Sequence, residues 1–200
     1  MTASEATSGT HALSGEAARQ CALAAAQGDR GAFDAIVAHF SERLLRYLMA
    51  GGLGQADAED ITQETLVRAY QNLDRYDSRY AVSTWLFTIA HRLRCNHFRD
   101  RRPAVPIDDN LLPQACEESS DDPLLDTVWA TARSLLPERH YDILWLRYGE
   151  DMELADIASV VGISKVNARV LLHRARSRLG KHLKNNATPS ATTSPAGVQS

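Results

Sequence analysis

The chain has 200 residues, 44% hydrophobic and 24% charged, with a net charge of −3. That composition suits one compact domain or two small ones and excludes a globally disordered chain. No run reaches the ~18 apolar residues of a membrane helix, the N-terminus has neither a basic start nor an apolar run behind it, and Cys21, Cys95 and Cys116 form no CxxC, so the reading is a cytoplasmic protein without membrane insertion, disulfide framework or zinc knuckle.

Residues 1–16, rich in Ser, Thr, Ala and Gly, read as a flexible N-terminus. A helical pattern begins around Ala17 and breaks at Gly28-Asp29. Phe33, Ile36, Val37, Phe40, Leu44 and Leu48 then recur at intervals of three and four, the apolar face of a second helix, which Gly51-Gly52 ends. A third helix runs from about Ala56 to Leu73, with acids in its first turn where the helix dipole favours them. The stretch from Asp74 to Val82 is turn-like. Ser83 or Thr84 can cap a fourth helix reaching about Arg101, and Pro103 stops it.

Residues 103–126 hold four prolines, seven acids and no base, the clearest linker in the chain. Beyond it the pattern predicts helices over Asp126–Leu135, Glu138–Tyr148 with Pro137 at its first turn, Leu154–Val161, and, after a tight turn at Gly162, Ser164–Leu183. Residues 185–200 are poor in apolar side chains and read as a disordered tail. No segment reads as a strand. The fold class is all-α: two small helical domains, residues 17–102 and 127–184, joined by a flexible acidic linker.

Charge is distributed unevenly. Residues 91–102 hold five arginines against one aspartate, and residues 164–184 hold seven Lys and Arg and no acid, which suggests two surfaces for anionic ligands separated by an acidic segment. In the C-terminal pair of helices, Ala168, Leu172, Ala175 and Leu179 form a narrow core stripe, leaving Lys165, Asn167, Arg169, His173, Arg174 and Arg178 on other faces. A helix-turn-helix presents the start of its second helix to base edges. Lys165, Asn167 and Arg169 are therefore candidate base readers, with Arg174, Arg178 and Lys181 nearer the phosphates. Cations late in the helix also complement its dipole. That leaves Lys165 and Arg169, near its start, unexplained.

The helix containing Trp85 has a core stripe of Leu86, Ile89, Ala90 and Leu93 and a second face bearing Arg92, Asn96, Arg99 and Arg102. Tyr76, Tyr80, Trp85 and Phe87 lie close by in sequence. Cations interleaved with aromatics suit single-stranded nucleic acid, although Trp85 and Phe87 also fit as core residues. His91 and Cys95 are one helical turn apart, but no third ligand converges and the surroundings are cationic, so no metal site is read there. No phosphate loop, HExxH or GxSxG occurs, and the acids form no metal-binding cluster, so the chain is not read as an enzyme and no cofactor is called for.

Residues 57–65 (DAEDITQET) followed by 83–90 (STWLFTIA) resemble the second conserved region of bacterial RNA polymerase sigma factors. Leu136-Pro137-Glu138-Arg139 and Leu172-His173-Arg174-Ala175-Arg176 resemble the fourth. Two such regions on a short linker are similar to the extracytoplasmic-function (ECF, group IV) class. The resemblance implies a sigma factor that binds core polymerase, at the β′ coiled coil and the β subunit, and directs it to −10 and −35 promoter elements. It assigns Asp60, Gln63 and Glu64, at i, i+3, i+4 on one helix face, to the β′ contact. It assigns Tyr76, Tyr80, Arg92, Asn96, Arg99 and Arg102 to the −10 element, and Lys165, Asn167, Arg169, His173, Arg174 and Arg178 to the −35 element. It further implies an anti-sigma partner, a monomer when free, and a linker whose carboxylates mimic a phosphate chain in the polymerase channel.

Two departures bear on specificity. Arg92 stands where the family commonly has Asn, and an arginine accepts no hydrogen bond. Leu171 replaces an arginine and Val170 a small polar residue in the recognition helix. The competing reading is a stand-alone helix-turn-helix regulator that never meets polymerase, although no dimer helix is evident for paired half-sites. A further alternative is an inactive module of sigma shape that only titrates a regulator.

Overall fold

The computed structural model describes residues 13–101 and 123–187. Eight α-helices and one 3-10 turn make up these segments, and among the described residues there is no strand. Residues 1–12 of the expected flexible start (1–16), most of the linker (102–122) and the end of the tail (188–200) lie outside them, as do Arg102 and Cys116, whereas Ser14 to Glu16 cap and begin the first helix.

The N-terminal bundle comprises α1 (Gly15–Ala26), α2 (Arg30–Ala50), α3 (Gln55–Gln71), the 3-10 turn Leu73–Arg75 and α4 (Val82–Arg101). Ser14 caps α1 by accepting from the Ala17 amide, and Asp29 caps α2 by accepting from that of Ala32, so each satisfies an amide the first turn leaves free. The α2 stripe is buried as the spacing predicts, with Ile36, Phe40, Leu44 and Leu48 facing Ala58 and Ala69 of α3 and Leu86, Phe87 and Ala90 of α4 in one core. Neither Ser83 nor Thr84 caps α4: the helix already begins at Val82, and the Trp85 amide bonds the Ala81 carbonyl.

The C-terminal bundle comprises α5 (Pro123–Leu135), α6 (Glu138–Tyr148), α7 (Leu154–Val161) and α8 (Lys165–Ala187). Helix α5 starts three residues before the expected Asp126, because Pro123 occupies the first turn, where its missing N–H costs nothing. Helix α8 runs past Leu183 to Ala187, so the first residues of the expected tail continue the helix. Ala132, Tyr141, Trp145, Ile157, Ala175 and Leu179 are buried in this bundle and belong to one continuous core with the buried residues of the N-terminal bundle, with Trp129 packed against Trp145 at 4.7 Å between ring centroids.

The two bundles meet where α4 packs on α7. Arg94 of α4 is fully buried at 0% exposure, and its Nη2 donates to Asp142 Oδ2 of α6 at 2.6 Å while its guanidinium lies 5.1 Å from the Tyr47 ring centroid. Burial opposes the charge on Arg94, but its neighbours, Asp142 foremost, outweigh that and hold the guanidinium charged. Arg43 of α2 donates from Nε to Glu150 Oε2 at 2.9 Å, and its Nη2 lies 2.8 Å from the same oxygen. Arg133 of α5 donates to the Gly51 carbonyl at 3.0 Å. Gly51 and Gly52 therefore do more than end α2. A Cβ at Gly51 would collide with the Arg94 guanidinium, and one at Gly52 with that of Arg133. Gly52 also needs its positive φ of 94°, whereas Gly51 at −71° does not, so Arg94 is what requires glycine there.

Candidate polymerase and nucleic-acid interfaces

On α3, Ala58, Ile61, Thr62, Thr65, Leu66 and Ala69 turn inward, which leaves Asp60, Gln63 and Glu64 exposed together. Glu64 accepts from Arg68 Nε at 2.6 Å, an i, i+4 pair along the helix. Val67, 51% exposed, continues the same face one turn beyond Gln63 and two beyond Asp60. The patch is thus acidic with an apolar end. Val67 was legible in the spacing, since position i+7 from Asp60 shares its face.

The segment between α3 and α4 is held by its own polar contacts. Tyr76 donates to the Tyr80 carbonyl at 2.7 Å, and its ring lies 5.0 Å from that of Trp85, tilted by 39°. Burial, the largest influence, raises the Tyr76 pKa, so the phenol stays protonated and able to donate. Asp77 accepts a fork of bonds from the Arg79 guanidinium at 2.6–3.0 Å. Tyr80 remains open to solvent. Trp85 is half-buried and packs against the core, while Phe87 is fully buried within it.

The arginine-rich end of α4 divides into two sets. Arg92, Asn96 and Arg99 are exposed and share the Trp85 side of the helix. Arg94 is committed to Asp142, and Arg101 donates to both carboxylate oxygens of Asp57 at 2.7 and 3.1 Å. The sequence already set Arg92, Asn96 and Arg99 on a face apart from Arg94 and Arg101, but nothing local reveals the partners of those two, 48 and 44 residues away. His91 is buried, and its Nδ1 lies 2.9 Å from the Tyr47 hydroxyl. Burial raises the Tyr47 pKa and lowers that of His91, so both charged forms are disfavoured at this contact. Cys95 Sγ lies 3.6 Å from the other ring nitrogen. Among the described residues no group of three possible metal ligands forms.

In the C-terminal unit, Gly162 takes the left-handed conformation at φ 71°, the position at which a helix-ending turn favours glycine. Ser164 then caps α8 by accepting from the Asn167 amide at 3.2 Å. Ala168 and Ala175 are fully buried, Leu179 is buried and Leu172 half-buried, so the predicted stripe is the packed one. Lys165, Asn167, Arg169, His173, Arg174 and Arg178 are all exposed. The pKa of His140 on α6 is lowered by burial and then by Arg174 and Arg178, which places those two cations beside α6. Val166 at 74% and Val170 at 40% exposure lie within the cationic face. Their distance in turns from Ala168 and Leu172 already set them off the core stripe.

The described residues thus form a helical bundle with an exposed acidic patch and a cation–aromatic face, packed against a helix-turn-helix whose second helix carries no acid. Residues 36–103 match the Sigma-70 region 2 family and residues 131–179 match Sigma-70 region 4. The ECF RNA polymerase sigma factor SigW of Bacillus subtilis (strain 168) is 29% identical over 178 residues, spanning 80% of this chain and 92% of the relative. SigM of the same organism is 28% identical over 150 residues, spanning 73% and 91%. Among solved structures, CnrH in complex with the cytosolic domain of CnrY is similar at a TM-score of 0.66 and 25% identity, over 86% of this chain and 99% of that one. The sigma factor RpoE in complex with the anti-sigma factor NepR, from Bartonella quintana, shares the fold at a TM-score of 0.60 and 22% identity, over 76% and 96%. The chain belongs to the sigma-70 family of RNA polymerase sigma factors, in its extracytoplasmic-function class.

Proposed function

We propose that this sigma factor docks on core polymerase through Asp60, Gln63, Glu64 and the adjoining Val67, and reads its promoter with two separate helical surfaces. Tyr76, Tyr80, Arg92, Asn96, Arg99 and Arg102 serve the −10 element, where opened bases stack on the tyrosines and the cations hold the backbone. Lys165, Asn167, Arg169 and His173 read the −35 element in the major groove, and Arg174 and Arg178 hold phosphates. Val166 and Val170 offer apolar surface for thymine methyl groups between those polar contacts. The observation that carries the reading is the common exposure of every assigned side chain on α8 over a packed Ala168–Ala175–Leu179 stripe.

Residues 17–102 and 127–184 act as the two functional domains and residues 103–126 as the connection between them. The protein works in the cytoplasm as a specificity subunit and not as a catalyst; among the described residues no helix is long and apolar enough to cross a membrane. An anti-sigma protein restrains it, as NepR accompanies the RpoE of similar fold. The stand-alone regulator has less support, since it gives no reason for the match over residues 36–103.

The test is binding to core polymerase with Asp60→Lys and Glu64→Lys variants. Charge reversal on the docking face should weaken core binding at least tenfold while leaving the helical content of the chain unchanged. Unaltered core binding by both variants would remove the α3 assignment, and no core binding by the native chain would remove the function.

A further inference from the structure

On α8 the stripe of Ala168, Ala175 and Leu179 is buried. At about 3.6 residues per turn, Val166, Val170, His173 and Ser177 fall on the opposite side of the helix, and all four are exposed. We propose that the two valines of this ridge are specificity-determining: they read the 5-methyl groups of two neighbouring pyrimidines in the major groove of the −35 element. A methyl group, and not only a pattern of donors and acceptors, then decides which promoter is bound. The inference rests on the −35 assignment of α8 and adds what that surface discriminates.

The fold itself gives these valines no work. A β-branched side chain lowers helix propensity relative to alanine, and at 74% exposure for Val166 and 40% for Val170 little burial offsets that cost. What they supply is apolar surface held still. Valine keeps essentially one χ1 rotamer in a helix, so little side-chain freedom is lost when it meets a ligand. The polar side chains stand to either side of the ridge, Lys165 and Arg169 along one flank and Asn167 and Arg174 along the other. They reach base edges and phosphates obliquely, and the line that enters the groove deepest is the one bearing the valines.

In the major groove thymine shows an O4 acceptor and a C5 methyl, where cytosine shows an N4 donor and a bare C5. Valine has no group to bond either O4 or N4, so at residues 166 and 170 the methyl is the feature left to read. The two side chains are about 6 Å apart along the helix axis, which confines them to bases within about two steps of ~3.4 Å. Enclosing one methyl between valine and the groove favours binding about fourfold. Cytosine methylated at C5 presents the same group in the same place, so at these two positions it should replace thymine better than plain cytosine does.

The experiment uses the full chain assembled with core polymerase, and promoter fragments taken from mapped start sites. Each thymine of the −35 element is replaced singly by deoxyuridine, which removes the methyl alone, and binding is measured by competition. Two positions should each lose about fourfold in affinity. Val166→Ala should abolish the uracil effect at one of them and Val170→Ala at the other. Alanine is the better helix former, so both variants should keep the native circular dichroism. Cytosine placed at either position should gain affinity on C5 methylation, and lose that gain in the matching variant. Uracil without effect at every position, effects that persist in both variants, or −35 elements that lack thymine would each overturn the inference. Arg174→Ala and Arg178→Ala then show how much has fallen. If they weaken promoter binding, the −35 assignment of α8 stands without methyl readout; if they leave it unchanged, that assignment fails too.

Discussion

Helices α4 and α8 both carry dense runs of cations, and both read from sequence as faces for nucleic acid. On α8 the six assigned residues all point to solvent. On α4, Arg94 is buried against Asp142 and Arg101 is tied to Asp57, leaving Arg92, Asn96 and Arg99 on the open side. The difference follows from position. Helix α8 is packed by one stripe on the edge of a small bundle, whereas α4 lies between the N-terminal core and α7, so half its circumference is inside. A run of arginines on an interior helix is divided between structure and ligand, and on a peripheral helix it is not.

Several substitutions would break or sharpen this contrast. The largest effect belongs to Asp142→Ala, which strands the buried Arg94 charge and should destabilise the fold by about 3–5 kcal/mol, measured by urea unfolding. Replacing both partners, Arg94→Met with Asp142→Leu, should recover most of that loss or exceed the native stability. Gly51→Ala comes next, since the new methyl enters the space of the Arg94 guanidinium; an overpacking cost of about 1–3 kcal/mol is expected, while Gly54→Ala, with open space around it, should cost far less.

On α8 the effects should fall on binding and leave stability alone. Arg169→Ala should cost about 1–3 kcal/mol on a promoter fragment and relax preference at one base position. Arg178→Ala should weaken all sequences alike and reduce the slope of log affinity against log salt by about 1. Equal behaviour of the two variants in a salt series would contradict the division between base and phosphate contacts.

The smallest effect is the response to acid. His39, His91 and His140 are each held below the ordinary 6.5, first by burial. Their contribution is complete above pH 6.5 and is lost as pH falls below it, because the unfolded chain takes up protons that the folded chain resists. His91 is the most enclosed: Tyr47 and Asp142 face it from α2 and α6, with Arg92, Arg94 and Arg139 nearby. Glu150, raised from 4.5 by burial against the pull of Arg43, works in the opposite sense, its contribution fading as pH rises past 4.5. The urea midpoint should therefore decline as pH is lowered through 6.5, and Glu150→Gln should steepen that decline.

Much of the fold was legible because it is local. The α2 and α8 stripes, the Gly162 turn and the Ser164 cap each depend on residues within a turn or two of one another, and periodicity finds them. The site was legible to the same extent: exposure on α3 and α8 follows from which neighbours form the core stripe. The pairing of Arg94 with Asp142 was not. Nothing near Arg94 names its partner, Asp142 looks like a surface acid on α6, and only folding brings them together across 48 residues. Pro123 was assigned to the linker for a related reason, since proline marks a helix start as readily as a break.

The most direct test of the account is transcription reconstituted from sigma-free core polymerase, this protein and a library of genomic fragments, with start sites mapped. The account predicts defined start sites preceded by common −10 and −35 sequences, shifted or lost with Arg169→Ala and abolished by Lys165→Glu with Arg169→Glu. Start sites unchanged by those α8 substitutions, or no initiation although the protein binds core, would contradict it.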